Sequence, residues 1–274
     1  MDNLIEQINI SVTSLRSKIA EDYGYGVILG SGLGNLTSQM TIHTEVSYKD
    51  IPGFPVSTVE GHSGKLIFGE MGGKRVVCMS GRFHYYEGYS MHDVTFPIRV
   101  MKFIGVHTLL ISNASGGMNE KFEVGDLMII TDHIYLQPEH PLRGKNYPEL
   151  GPRFPNMNRA YAPELVEKGL AIAKANNITC HTGVYVGVQG PTFETPAEYK
   201  CFHLMGGDAV GMSTTPETVV ARHMDMKVFA ISVISDVGYP FYKADEVSHA
   251  FVLEKAAEAE PKMTKVIVEL LHQI

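Results

Sequence analysis

The residues best suited to chemistry fall in short runs that follow apolar stretches. Gly30-Ser31-Gly32-Leu33-Gly34 comes directly after a stretch ending at Leu29, where backbone N–H groups can turn toward an anion and the Ser31 hydroxyl can join them. Two nucleotide-binding readings fail on spacing. No Lys-Ser/Thr follows a second glycine as in a P-loop, and the dinucleotide fingerprint needs glycine where Asn35 stands. Alone, the run is equally a tight turn. Arg82 and His84 lie two apart in Gly81-Arg82-Phe83-His84-Tyr85-Tyr86, so in an extended backbone both point to one side, with Tyr86 following. Arginine offers a planar fork for a phosphate dianion, and histidine adds a donor that can also pass a proton. A surface ion pair for Arg82 and a satisfied turn residue at His84 explain them about as well. His62, in Gly61-His62-Ser63-Gly64, is no stronger alone.

Further along, Asn113-Ala114-Ser115-Gly116-Gly117 follows a predicted strand at 108–112, and its small residues let a ligand approach the backbone. Gly211-Met212-Ser213-Thr214-Thr215 leads into a helix beginning near Pro216, whose first N–H groups suit an anion. Met212 alone reads as core packing. Phe193-Glu194 sets an aromatic face beside an acceptor-only carboxylate, which suits a planar base with N–H donors. On helix statistics Glu194 is more simply a first-turn acid. Ser235-Asp236 closes a strand and His249 opens the last helix, so either is also a cap. Metal hydrolysis and serine hydrolysis find no support. The 12 histidines include no His-Glu-x-x-His, and no Gly-x-Ser-x-Gly elbow occurs.

The elements that must position these residues alternate. β-branched runs at 25–29, 66–68, 76–79, 108–112, 127–131, 183–188 and 228–234 are interleaved with helical patterns at 3–20, 91–104, 163–176, 216–225 and 247–271. That order predicts an α/β fold with a mixed or mainly parallel sheet. Thr195-Pro196-Ala197-Glu198 has the residues of a capping box, and Ser90 with Asp93 offers a second. The longest irregular stretch, 136–158, carries five prolines and several aromatics, and a loop of that length is more often functional than idle. It is a candidate lid or subunit contact.

A chain of 274 residues, 44% of them apolar, is enough for one large core, so a single domain over 1–274 is expected. A net charge of −7 and the lack of a long basic block argue against nucleic acid. Cys78, Cys180 and Cys201 are odd in number and form no Cys-x-x-Cys pair, which fits reduced thiols and a cytoplasmic setting. Neither a signal peptide nor a membrane span is expected.

Taken in order, Gly30–Gly34, Gly61–Gly64, Gly81–Gly88, Asn113–Gly117, Gly190–Glu194 and Gly211–Ser213 resemble the trimeric purine nucleoside phosphorylase family over nearly the whole chain. Gly81-Arg82-Phe83-His84-Tyr85-Tyr86-Glu87-Gly88 and Gly190-Pro191-Thr192-Phe193-Glu194-Thr195 are the specific blocks. The resemblance implies a single α/β domain with a mixed central β-sheet flanked by helices, assembled as a homotrimer. It also implies phosphorolysis of purine ribonucleosides and deoxyribonucleosides to free base and (deoxy)ribose 1-phosphate, in purine salvage. No cofactor or metal is implied, because orthophosphate is itself a substrate. By position, phosphate falls to Ser31, Arg82, His84, the backbone at Ala114, and Ser213, with His62 nearby. Ribose falls to Tyr86, Met212 and His249, and Phe154 reaches a neighbouring subunit's sugar site. Purine falls to Phe193, Glu194, Ser235 and Asp236. His84, Glu194 and Asp236 are the expected catalytic groups.

One position departs from the resemblance. The 6-oxopurine-selective members usually carry asparagine where this chain has Asp236, whose carboxylate matches a 6-amino group and a protonated N7 better than a carbonyl. Burial can restore a donor there. Glu194 pulls the other way, since an acceptor suits the N1–H of hypoxanthine and guanine. Inosine and guanosine are expected as main substrates, with adenosine more tolerated than in asparagine-bearing relatives. The rival readings are a methylthioadenosine phosphorylase, which His249 disfavours, a non-catalytic nucleoside-binding protein, and a dinucleotide-binding oxidoreductase, which Asn35 weakens.

Overall fold

The computed structural model describes residues 4–19, 21–56, 63–242 and 247–274. Nine strands build its sheet: β1 Tyr25–Ile28, β2 Thr41–Ser47, β3 Lys65–Met71, β4 Lys74–Ser80, β5 Thr108–Gly117, β6 Leu127–Tyr135, β7 Cys180–Gly187, β8 Ala209–Gly211 and β9 Lys227–Val237. Helices α1 Leu4–Arg16, α2 Met91–Phe103, α3 Pro163–Ala175, α4 Pro196–Leu204, α5 Thr215–His223 and α6 His249–Gln273 accompany them. β1, β5 and β9 run parallel through the centre. Val27, Ile28, Leu109, Leu110, Ile111, Val228 and Phe229 on these strands are wholly buried. A strand covered on both faces has no solvent side, and its sequence is a continuous apolar run rather than an alternation.

The strand order is β2-β3-β4-β1-β5-β8-β7-β6-β9, with β9 also paired to β5. The mixed α/β sheet is as expected, but it is not simply open. Pairings β5–β8, β8–β7, β7–β6, β6–β9 and β9–β5 close a ring, while β1, β4, β3 and β2 form a wing beside it. Closure gives each strand of the ring a partner on both sides over part of its length, which shortens the edges left open.

Three expectations need correction. β5 continues to Gly117 and β9 to Val237, so 113–117 and Ser235-Asp236 lie inside strands rather than beyond their ends. The two strands change register between Ser115 and Gly116, and an irregularity of this kind re-aims the side chains that follow it. β2 and β8 had no counterpart in the predicted elements. The helix starts fare better. Thr195 Oγ1 accepts from Glu198 N at 3.2 Å, and Ser90 Oγ accepts from Asp93 N at 3.3 Å, so both capping boxes form. Between Tyr135 and Pro163 there is neither helix nor strand.

Candidate functional site

Residues at or just beyond the C-terminal ends of β1, β4, β5, β8 and β9 meet in one cavity of about 470 Å³, within the size range of small-molecule sites. Ser31, Arg82, His84, Tyr86, Ala114, Phe193, Glu194, Met212, Ser213, Ser235, Asp236 and His249 all line it. Phe154 does not. It is 89% exposed in the irregular stretch, with the Arg153 guanidinium 5.9 Å from its ring centroid. His62 lies outside the described residues.

One part of the cavity is organised around Arg82. The guanidinium is 2% exposed, its Nη1 donates to Ser213 Oγ at 2.7 Å, and its Nε is 3.2 Å from Glu217 Oε1, itself buried. Two anchors on different atoms fix the plane of the fork, so little rotamer freedom remains to be lost when an anion binds. Ser213 is held by a rare backbone form. Thr214 has φ 72° and ψ −48°, and Thr215 N donates to Ser213 O at 2.8 Å, which together make a γ-turn. Positive φ is costly for a β-branched residue. Asn113 Nδ2, donating to Thr214 Oγ1 at 2.9 Å, helps hold the conformation.

His84 is anchored by Glu87, whose Oε1 accepts from the His84 backbone N–H at 2.8 Å and lies 3.1 Å from Nδ1. That contact puts the ring proton on Nδ1 and leaves Nε2 as an acceptor. Burial, aided by Arg82, holds the imidazole below its usual range against the pull of Glu87, so it is neutral near pH 7. The Tyr86 ring stacks on it at 4.7 Å and 15°. The spacing argument put Arg82, His84 and Tyr86 on one side of an extended backbone. They do share the cavity, although Tyr85–Glu87 is a 3-10 turn.

The glycine-rich run leaves β1 and is braced by α6. Gly32 has φ +75°, and a Cβ there would stand 3.0 Å from Ala256 Cβ, a combination that favours glycine. Leu36 N, just beyond the run, donates to Glu260 Oε1 at 2.9 Å.

Another part of the cavity carries carboxyl groups. Glu194 precedes Thr195, the N-cap of α4, so it is not a first-turn acid of that helix. Burial, with added repulsion from Asp236 and Glu198, pushes its pKa up to about 7 against a bond to its own backbone. Phe193, 37% exposed, stands beside it. Asp236 is buried, and both its oxygens accept: Oδ1 from Ser235 Oγ at 2.8 Å and Oδ2 from Tyr199 at 2.7 Å. Glu217, Glu87 and Tyr199 were given no function in the sequence reading. Glu217 directly follows Pro216 at the start of a helix, and nothing local ties it to a residue 135 positions earlier. Among the described residues no cluster of His, Cys, Asp and Glu could hold a metal ion, and no helix is long and apolar enough to cross a membrane.

The profile of the Phosphorylase superfamily matches residues 25–272. Purine nucleoside phosphorylase 1 of Bacillus subtilis is 45% identical over 268 residues, 98% of each chain. Among solved structures, a Schistosoma purine nucleoside phosphorylase in complex with hypoxanthine aligns with a TM-score of 0.93 at 39% identity, covering 98% of both chains. The Schistosoma mansoni enzyme in complex with adenosine gives the same score, identity and coverage.

Proposed function

Because the chain belongs to the phosphorylase superfamily, and within it to the purine nucleoside phosphorylases, we propose that its cavity binds orthophosphate and a purine nucleoside and joins phosphate to the sugar. The observation that carries this reading is the meeting in one cavity of a buried, pre-oriented arginine fork with an aromatic face and the carboxyl pair Glu194 and Asp236. In this reading Arg82, Ser213, Ser31, the backbone at Ala114 and His62 hold phosphate. His84, with Nε2 as its acceptor, receives the P–OH hydrogen bond of monohydrogen phosphate. Tyr86, Met212 and His249 hold the ribose, and Phe193, Glu194, Ser235 and Asp236 hold the purine.

A phosphate oxygen forms its bond to the anomeric carbon as the bond from that carbon to N9 breaks, and the electron pair departs with the purine. The transition state resembles a ribosyl cation between phosphate and leaving base, and no covalent bond to the protein forms. Dianionic phosphate stabilises the sugar cation on one side. The base takes up a proton at N7 as it leaves, and Asp236 and Glu194 accept from its N–H groups, so negative charge does not build up on it, an effect for which one well-placed group is worth about 10²–10³ in rate. Inosine and guanosine are the main substrates in this reading, with adenosine accepted, and the setting is cytoplasmic.

Mixing the protein with inosine, with and without orthophosphate, tests the reaction. Hypoxanthine release that depends on phosphate is expected, and equal release without it would favour a hydrolase. We also propose a homotrimer in which the exposed Phe154 serves a neighbouring subunit's sugar site. Light scattering is expected to give the mass of three chains, and the mass of one chain would remove this assignment.

A further inference from the structure

Tyr199 does not line the cavity, yet it controls a group that does. It stands on α4 with its side chain 3% exposed, and its hydroxyl donates to Asp236 Oδ2 at 2.7 Å. Two glycines make room for it. A Cβ on Gly116 would lie 2.4 Å from the Tyr199 hydroxyl and 3.0 Å from Asp236 Oδ2, and a Cβ on Gly238 would lie 2.5 Å from the tyrosine ring. Real Cβ contacts do not come so close, so any larger residue at either position would displace the phenol. Gly116 is also the register partner of Asp236 and immediately follows the irregularity between β5 and β9. Phenol, carboxylate and both glycines form one fitted unit behind the wall of the purine end.

The direction of the bond follows from the groups present. Burial and the neighbouring Asp236 and Glu194 carboxyls raise the Tyr199 pKa far above the ordinary phenol value, so the hydroxyl keeps its proton and donates. Ser235 Oγ donates to Oδ1 in the same way. With a donor on each oxygen, the carboxylate cannot rotate freely, and what it still offers the cavity is acceptor lone pairs. A 6-amino group and a protonated N7 can donate to those lone pairs, whereas a 6-oxo group cannot.

We propose that Tyr199 is a positioning residue for purine selectivity, fixing Asp236 as an acceptor and so raising the affinity for 6-aminopurines relative to 6-oxopurines. This rests on the placement of the purine beside Asp236 proposed above. Without the phenol, only Ser235 holds Asp236, and the carboxylate is free to turn its lone pairs away from the 6-position of the base.

Tyr199→Phe tests this directly, because the ring still packs on Gly238 and only the hydroxyl is lost. Binding of adenine and of hypoxanthine is measured by titration calorimetry in the unmutated protein, Tyr199→Phe, Asp236→Asn and the double variant, alongside kcat/KM for adenosine and inosine. The preference for adenine over hypoxanthine is expected to fall about tenfold in Tyr199→Phe. In the Asp236→Asn background the same change is expected to shift it by less than about twofold, since no carboxylate is left to hold. Equal weakening of both bases, or the full tenfold shift with Asn at 236, would overturn the proposal by reducing Tyr199 to a packing residue. Base binding does not depend on turnover. A protein that bound bases but released none from nucleosides with phosphate would lose the proposed reaction while still deciding this point.

Discussion

Between pH 6 and pH 8 the ratio of kcat/KM for inosine to that for adenosine is expected to rise about a hundredfold. The cause is Glu194, whose pKa is pushed up to about 7, chiefly by burial and further by Asp236 and Glu198. In the proposed site, above that pH it is a carboxylate that accepts from the N1–H of hypoxanthine. Below it the group is an acid and donates to the bare N1 of adenine. One proton therefore helps one substrate and hinders the other, and each rate changes about tenfold per pH unit on its unfavourable side. Taking the ratio cancels what the substrates share, including the ionisation of phosphate and of His84. It also reconciles two positions that pull apart in the sequence, since Asp236 offers acceptors to a 6-amino group while Glu194 can serve either base. A flat ratio across this range would remove Glu194 from contact with N1. Glu194→Gln is expected to flatten it, because an amide presents both a donor and an acceptor at every pH.

Arg82→Met is expected to lower kcat/KM for phosphate by about 10²–10³-fold while hypoxanthine still binds. Methionine keeps much of the length and loses the fork. The magnitude follows from preorganisation: Ser213 and Glu217 already fix the guanidinium in a nearly dry setting, where a charge acts on an anion with little screening. Removing it leaves Glu217 buried beside an uncharged neighbour, which costs about 3–5 kcal/mol of stability. Arg82→Lys separates that cost from the catalytic one, since it retains the charge without the planar geometry. Partial recovery is expected there, to within about tenfold of the unmutated protein. A loss below about threefold in Arg82→Met, in protein shown by circular dichroism to be folded, would remove Arg82 from phosphate binding.

What the sequence made legible was whatever is local. Thr195-Pro196-Ala197-Glu198 and Ser90 with Asp93 are contained within one helical turn, and both cap as read. The buried central strands announce themselves by continuous apolar residues. β2 does not, because it is an edge strand with only Val46 buried and an irregularity between Ile42 and Thr44 that breaks alternation. β8, at three residues, is too short to carry a pattern. The ends of β5 and β9 turn to glycine, serine and aspartate, which read as loop, yet their pairing with each other keeps them in the sheet. At the site, many residues facing the cavity lie in runs the sequence marks, although Glu87, Val210 and Val252 line it without having been singled out. Their supports are not so marked, because Glu217 meets Arg82 and Tyr199 meets Asp236 only after the sheet has formed. A single sequence carries no local mark of such pairs.

The bond from Leu36 N to Glu260 joins positions 224 apart, and the brace of α6 against Gly32 spans a similar distance. On a ribosome adding about 5–20 residues per second, the loop after β1 therefore exists for about 10–45 s before its partner is made. Throughout that interval Leu33 N can donate to Gly30 O within the loop, but Leu36 N has only water or transient neighbours to bond. The loop after β1 is thus finished only when α6 has emerged and docked, long after the loop itself was made.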